Sequence, residues 1–226
     1  MVRQAICVAV AAILVLCAGS VAAEVVQGKD YVLLDGATEA GRAIAPSAHP
    51  GIDRIEVVEF FSYACPHCAR LEPQLEKWRH ALPANVVLRR VPVVFGRNEW
   101  EVLARLYFTL EAGNQLDALH GKVFAALHQQ HASLFTPDAA ADWVARQGVD
   151  RRTFLDGYNS FAVQLRLQGA NALAQQAGID SVPSFVVGGR YRTDLDMARD
   201  YARLLNIVDA LIARSAGAGP VKPRKQ

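Results

Sequence analysis

Cysteine is scarce in this chain: four in 226 residues, at positions 7, 17, 65 and 68. No second closely spaced pair accompanies Cys65 and Cys68, so a closed four-ligand zinc site lacks thiolates to complete it. Charge of one sign is lacking too. The formal net charge is +2, and no basic run occurs before the last few residues. That leaves no electrostatic footprint for nucleic acid and no steering toward an acidic partner. No internal repeat is evident. The chain is therefore read as one or two ordinary domains, for which 52% hydrophobic residues supply ample core.

The first residues have the layout of an export signal. Arg3 is the only charge before Glu24, Ile6 to Leu16 is apolar, and Val21-Ala22-Ala23 ends a run of small residues. Cleavage is expected after Ala23, giving residues 1–23 as signal peptide and an exported mature chain. An uncleaved anchor is the alternative, since the uncharged stretch is nearly long enough to span a bilayer. A lipid-modified Cys17 is disfavoured by the bulk of Leu16. Cleavage removes Cys7 and Cys17 and lowers the basic count from 24 to 23 against 22 acids. The mature chain then keeps only Cys65 and Cys68. A bridge between them closes too small a loop to stabilise much, so chemistry explains the pair better than architecture does.

The pattern along the mature chain is α/β. Tyr31 to Leu34 reads as a short strand and Thr38 to Ile52 as a loop. Arg54 to Phe61 reads as a buried strand, apolar on both faces apart from its acids. Pro66 to Leu82 reads as a helix with Pro73 inside it, and Asn85 to Phe95 as a second β run. Strand, crossover helix and strand predict a parallel βαβ unit. Consecutive helices follow. The first opens at Asn98 with Glu101 as a capping box, and the second carries Leu116, Leu119, Val123, Phe124 and Leu127. The third opens at Thr136-Pro137, the fourth is capped by Asp150, and the fifth spans Phe161 to Ala177. Together they predict an inserted helical domain. Ser184 to Val187, Gly188-Gly189 and Arg190-Tyr191 then signal a hairpin, and Asp194 is expected to cap one long helix to about Arg214. Residues 24–96 and 179–226 would form one unit around the insertion 97–178.

Three features carry chemistry. Cys65-Pro66-His67-Cys68 stands where the buried strand hands over to a helix. Unpaired backbone N–H groups and the helix dipole there favour a thiolate on Cys65, and a protonated His67 adds positive charge. Each unit of lowered pKa stabilises the thiolate by about 1.4 kcal/mol. That favours the reduced pair and makes its disulfide an oxidant. The rival is a metal site using His128 and His131, spaced to share a helix face, although histidines on such a Gln-rich surface are more often solvent-facing. Val182-Pro183 is the second feature. A cis bond there would present the Val182 backbone beside the cysteines for an added substrate strand; a trans proline simply opens a strand. Glu59 is the third, six residues before Cys65. Buried, it would have a raised pKa and could move a proton to or from Cys68; the alternative is a strand-end acid with a path to solvent.

The stretch Glu59 to Cys68, with Gly178 to Tyr191 and its Val182-Pro183, resembles the DsbA family of periplasmic thiol oxidases. The resemblance covers essentially the whole mature chain. It implies a thioredoxin-like fold with an inserted α-helical domain, a nucleophilic Cys65, a resolving Cys68, a cis Pro183 and a relay role for Glu59. It also implies unfolded exported proteins as substrates, a quinone-linked DsbB-like membrane protein as reoxidant, a monomer, and no cofactor. Ala64 departs from the bulkier apolar residue of some relatives, which bears on the shape of the substrate groove. Within the fold, a disulfide isomerase or a reductase is the alternative, and outside enzymology a metal- or peptide-binding module. An isomerase of this fold needs an added dimerisation domain, for which residues 24–53 are too short.

Overall fold

The structure, a computed structural model, describes residues 25–34 and 54–217. The export signal, its cleavage site and the loop expected over 38–52 lie outside these residues. Within them, five strands form one sheet: β1 (Val32–Leu33), β2 (Ile55–Phe61), β3 (Val86–Pro92), β4 (Ser184–Val187) and β5 (Tyr191–Asp194), in the order β1-β5-β4-β2-β3. Of these strands, β2 and β3 pair in parallel, as a crossover through helix α1 (Pro66–His80) requires; the other neighbours are antiparallel.

All seven residues of β2 are buried, because the strand is central and covered on both faces. Val57 packs with Leu71 and Leu75 of α1 and with Leu204, Val208 and Leu211 of the C-terminal helix. Val58 and Phe60 face the other way, into the core built with the insertion. That insertion is five helices between β3 and β4: α2 (Asn98–Ala112), α3 (Leu116–His128), α4 (Pro137–Arg146), α5 (Arg151–Tyr158) and α6 (Phe161–Gln176). Thr136 and Asp150 cap α4 and α5 as expected, accepting hydrogen bonds from Ala139 N and Thr153 N.

Two local expectations are corrected. Asn98 does not cap α2. The cap position is Arg97, with no side-chain bond, and Glu101 is engaged instead by Arg105 Nε at 3.1 Å. The C-terminal helix is also broken. Asp194 caps only the four-residue α7 (Leu195–Ala198), Arg199 turns left-handed (φ +63°), and α8 (Tyr201–Gly217) starts afresh. Asp200 Oδ1 accepts from Arg203 N at 2.9 Å, so a second cap competes successfully with helix continuation.

The β4–β5 turn uses Gly188 (φ +57°) and Gly189 (φ +64°), the left-handed pair a two-residue hairpin needs. A Cβ on Gly188 would also stand 3.0 Å from Ser215 Oγ. Gly188→Ala is expected to cost about 1–2 kcal/mol. Gly169→Ala, in the exposed interior of α6 with nothing within 4 Å of the new Cβ, should instead gain about 0.5–1 kcal/mol. Urea denaturation of the two variants, shifted in opposite directions, checks both signs.

Candidate active site

Cys65 is the N-cap of α1, with extended backbone (φ −83°, ψ 118°), and Pro66 occupies the first turn where its missing N–H costs nothing. Cys65 N donates to Ser62 O at 3.0 Å, closing the tight turn that delivers the sulfur to the helix end. Both cysteines are free thiols and both are buried, yet their environments differ in sign. The Cys65 thiol is pulled down to about 6. A hydrogen bond from Cys68 is the largest cause; burial opposes it, and the backbone N–H groups of Cys68 and His67 and the His67 charge add to it. Burial pushes the Cys68 thiol well up, and the hydrogen bond to Cys65 and the Cys65 charge reinforce that. One sulfur is therefore thiolate near neutral pH and its neighbour is not.

The Val182–Pro183 bond is cis, and the Val182 carbonyl lies 3.4 Å from Cys65 Sγ, where it accepts a hydrogen bond from the thiol form. The chain from the far end of the insertion thus places a backbone acceptor directly on the reactive sulfur. His67 is exposed, and its Nδ1 lies 2.9 Å from the Tyr201 hydroxyl.

Glu59 is 2% exposed, which removes the solvent path of a strand-end acid. Its register partner across the parallel ladder is Arg90 of β3, whose Nε donates to Glu59 Oε2 at 3.1 Å. Arg90 Nη2 reaches two more carboxylates, Glu72 at 3.4 Å and Glu76, both on α1. One guanidinium cannot neutralise three acids. Burial alone would raise Glu76, but hydrogen bonds from Arg79 and Arg90 overcome it and hold its carboxyl down at about 2. Burial wins at Glu59 and Glu72, which both rise despite Arg90 and so retain protons. A carboxyl that keeps its proton therefore lies close enough to Cys68 to act on its thiol.

A second network reaches the site from α3. The buried Tyr63 hydroxyl lies 2.7 Å from His120 Nδ1. Burial keeps the phenol protonated and the imidazole neutral, so the O–H donates and the ring proton sits on Nε2, 3.5 Å from Glu72 Oε1. His128 Nε2 donates to the Tyr63 carbonyl at 2.7 Å. The turn before Cys65 is thus held at both ends of Tyr63 by the insertion. This corrects the expectation that His128 and His131 share a helix face. The helix ends at His128, His131 is left-handed (φ +53°), and the two do not share a face. Among the described residues no three His, Cys, Asp or Glu side chains converge as metal ligands.

Sequence reasoning singled out Glu59, Cys65, Pro66, His67, Cys68, Val182 and Pro183, and the fold gathers them at one end of β2. It missed Arg90, Glu72, His120 and Tyr201. An Arg89-Arg90 pair inside a β run was the available signal for the first.

A family model described as a DSBA-like thioredoxin domain matches residues 56–211. The thiol:disulfide interchange protein DsbA of Bordetella pertussis is 47% identical over 171 residues, 75% of this chain and 80% of that protein. The protein of the same name from Pseudomonas aeruginosa is 39% identical over 191 residues, 84% and 86% of the two chains. Among solved structures, the crystal structure of Pseudomonas aeruginosa DsbA superposes with a TM-score of 0.77 at 37% identity, covering 86% of this chain and 96% of that one. The oxidoreductase DsbA from Xylella fastidiosa gives 0.74 at 32% identity, covering 86% and 99%.

Proposed function

The chain belongs to the DSBA-like thioredoxin family and is a disulfide oxidoreductase of oxidative protein folding, and we propose that it acts as a net oxidant, handing a Cys65–Cys68 disulfide to reduced exported proteins. The fold is thioredoxin-like with an inserted helical segment. We assign residues 24–96 and 179–226 to the former and 97–178 to the latter.

The contrast between the two thiols carries this reading. A substrate thiolate attacks Cys65 Sγ, the Cys65–Cys68 bond breaks, and Cys68 leaves with the electron pair and takes a proton through Glu59. A second substrate thiolate attacks the bridged sulfur of its own chain. The substrate disulfide forms and Cys65 departs as thiolate, a good leaving group because its pKa is low. In balance the substrate dithiol loses two electrons and two protons; the protein disulfide gains the electrons, Cys68 keeps one proton and solvent the other. In the mixed disulfide, as in the thiolate, Cys65 has no S–H, so the Val182 carbonyl is free to accept a substrate backbone N–H.

The setting follows from the same reading: a mature, monomeric, periplasmic chain cleaved after Ala23, reoxidised by a DsbB-like quinone-linked membrane protein. Equilibration of the mature protein with glutathione is the test. Its disulfide should be reduced more readily than that of a small unstructured dithiol such as dithiothreitol, and the thiolate absorbance of the reduced form should titrate near pH 6. A bridge held more tightly than that of dithiothreitol would place the protein among reductases instead.

A further inference from the structure

His67 sits in the first turn of α1, yet it is tied to an element 134 residues away. Tyr201 is the first residue of α8, and the left-handed Arg199 and the Asp200 cap fix where that helix begins. Its ring is half-buried against the core on the α1–α8 face of the sheet. Packing therefore holds the phenol. Among the described residues the exposed imidazole has this one side-chain bond, 2.9 Å from Nδ1 to the hydroxyl, to orient it. The ring centroids are 6.5 Å apart with planes tilted by 39°, so the contact is a hydrogen bond at the ring edges rather than a stack.

We propose that Tyr201 is a positioning residue for His67 and strengthens the protein as an oxidant by holding the imidazole beside the Cys65 sulfur. The inference rests on the net-oxidant reading above. A phenol suits the task because it serves both charge states. Its oxygen accepts from Nδ1–H of an imidazolium, and its O–H donates to Nδ1 of a neutral ring. The thiolate of Cys65 exists only in the reduced protein. A cation held near it favours that form, and a cation free to swing into water favours it less. The position needs a hydroxyl on a rigid support: a shorter side chain at the head of α8 would not reach, and a long flexible one would spend the gain in lost rotamer freedom.

Tyr201→Phe keeps the ring and removes the bond. Because the pair is exposed, the expected effect is modest: the disulfide becomes about threefold harder to reduce against glutathione, a fall of about 14 mV in potential for a two-electron couple. The same substitution in a His67→Leu background should change nothing, because a positioning residue has no action without the group it positions. An unchanged equilibrium constant in Tyr201→Phe overturns the proposal, and so does an equal shift with and without His67. If the wild-type disulfide itself proved harder to reduce than that of dithiothreitol, the net-oxidant reading would fall, while the difference between wild type and Tyr201→Phe would still report on Tyr201.

Discussion

A Cys65→Ser protein is expected to lose all oxidation of reduced peptides and, with it, every thiol that alkylates quickly at pH 7. The remaining thiol, Cys68, is 1% exposed and pushed toward its protonated form by burial, so neither access nor ionisation allows it to react. Cys68→Ser should behave in the opposite way. Cys65 keeps its helix-end position, stays reactive to iodoacetamide, and accumulates mixed disulfides that no resolving thiol releases. Fast alkylation of Cys65→Ser near neutral pH would reverse the assignment of attacking and resolving sulfur.

The same substitution has a thermodynamic signature. Cys65 titrates at about 6 in the folded reduced protein against 9.0 for an ordinary thiol. Between those values the unfolded chain keeps the proton and the folded chain has lost it. The reduced protein therefore gains stability as pH rises through that window, by up to about 1.4 kcal/mol per unit. The disulfide form has no such thiol, and Cys65→Ser has none either. Denaturant midpoints of the reduced wild type at pH 6 and pH 9, compared with both, should isolate this gain. Glu59 acts with the opposite sign. Its folded value is raised, so its contribution is lost as pH climbs above the ordinary carboxylate range, but it does so in all three proteins and cancels in the comparison.

What was legible in the sequence follows how local each feature is. The cysteine pair, its strand–helix junction, the Gly188-Gly189 hairpin and the Thr136 and Asp150 caps all lie within a few residues of their determinants, and all form as the pattern predicts. Asn98 fails because a capping box shifted by one residue looks the same on paper; Arg97 takes the cap position and Glu101 finds Arg105. Arg199 fails for a related reason. An arginine carries no signal for a left-handed break, and the amphipathic pattern runs on across it. The partners of the site are out of reach for a different reason. Arg90 meets Glu59 through the register of a parallel ladder 31 residues apart. His120 reaches Tyr63 across 57 residues and Tyr201 reaches His67 across 134. Side-chain chemistry shows that Glu59 needs a partner when buried. Only the tertiary fold decides which one it receives.

Arg90→Met should be the most destabilising single substitution around the site, at about 3 kcal/mol near pH 8. Arg90 is 10% exposed and is the one cation reaching Glu59, Glu72 and Glu76 together among the described residues. Methionine fills much of the volume but leaves carboxylates facing one another in a dry site. Those carboxyls can escape by taking up protons, and this sets the shape of the effect. With Arg90 gone, Glu59 and Glu72 rise further above their unfolded value, so folding holds protons that the unfolded chain releases, and stability falls as pH rises. The loss should shrink markedly at pH 5, where protons are abundant. Adding Glu59→Gln removes the most buried of the three carboxyls and should restore a large part of the pH 8 loss, while in the wild-type background, where Arg90 still faces Glu59 and its carboxyl is raised only to about 8, the same change should gain less. Urea denaturation of the single and double variants at both pH values provides the check. An Arg90→Met penalty that is the same at pH 5 and pH 8, and that Glu59→Gln does not relieve, would mean that Arg90 holds β3 by packing rather than by charge. The proton held at Glu59 would then no longer follow from the excess of acids over base beside Cys68.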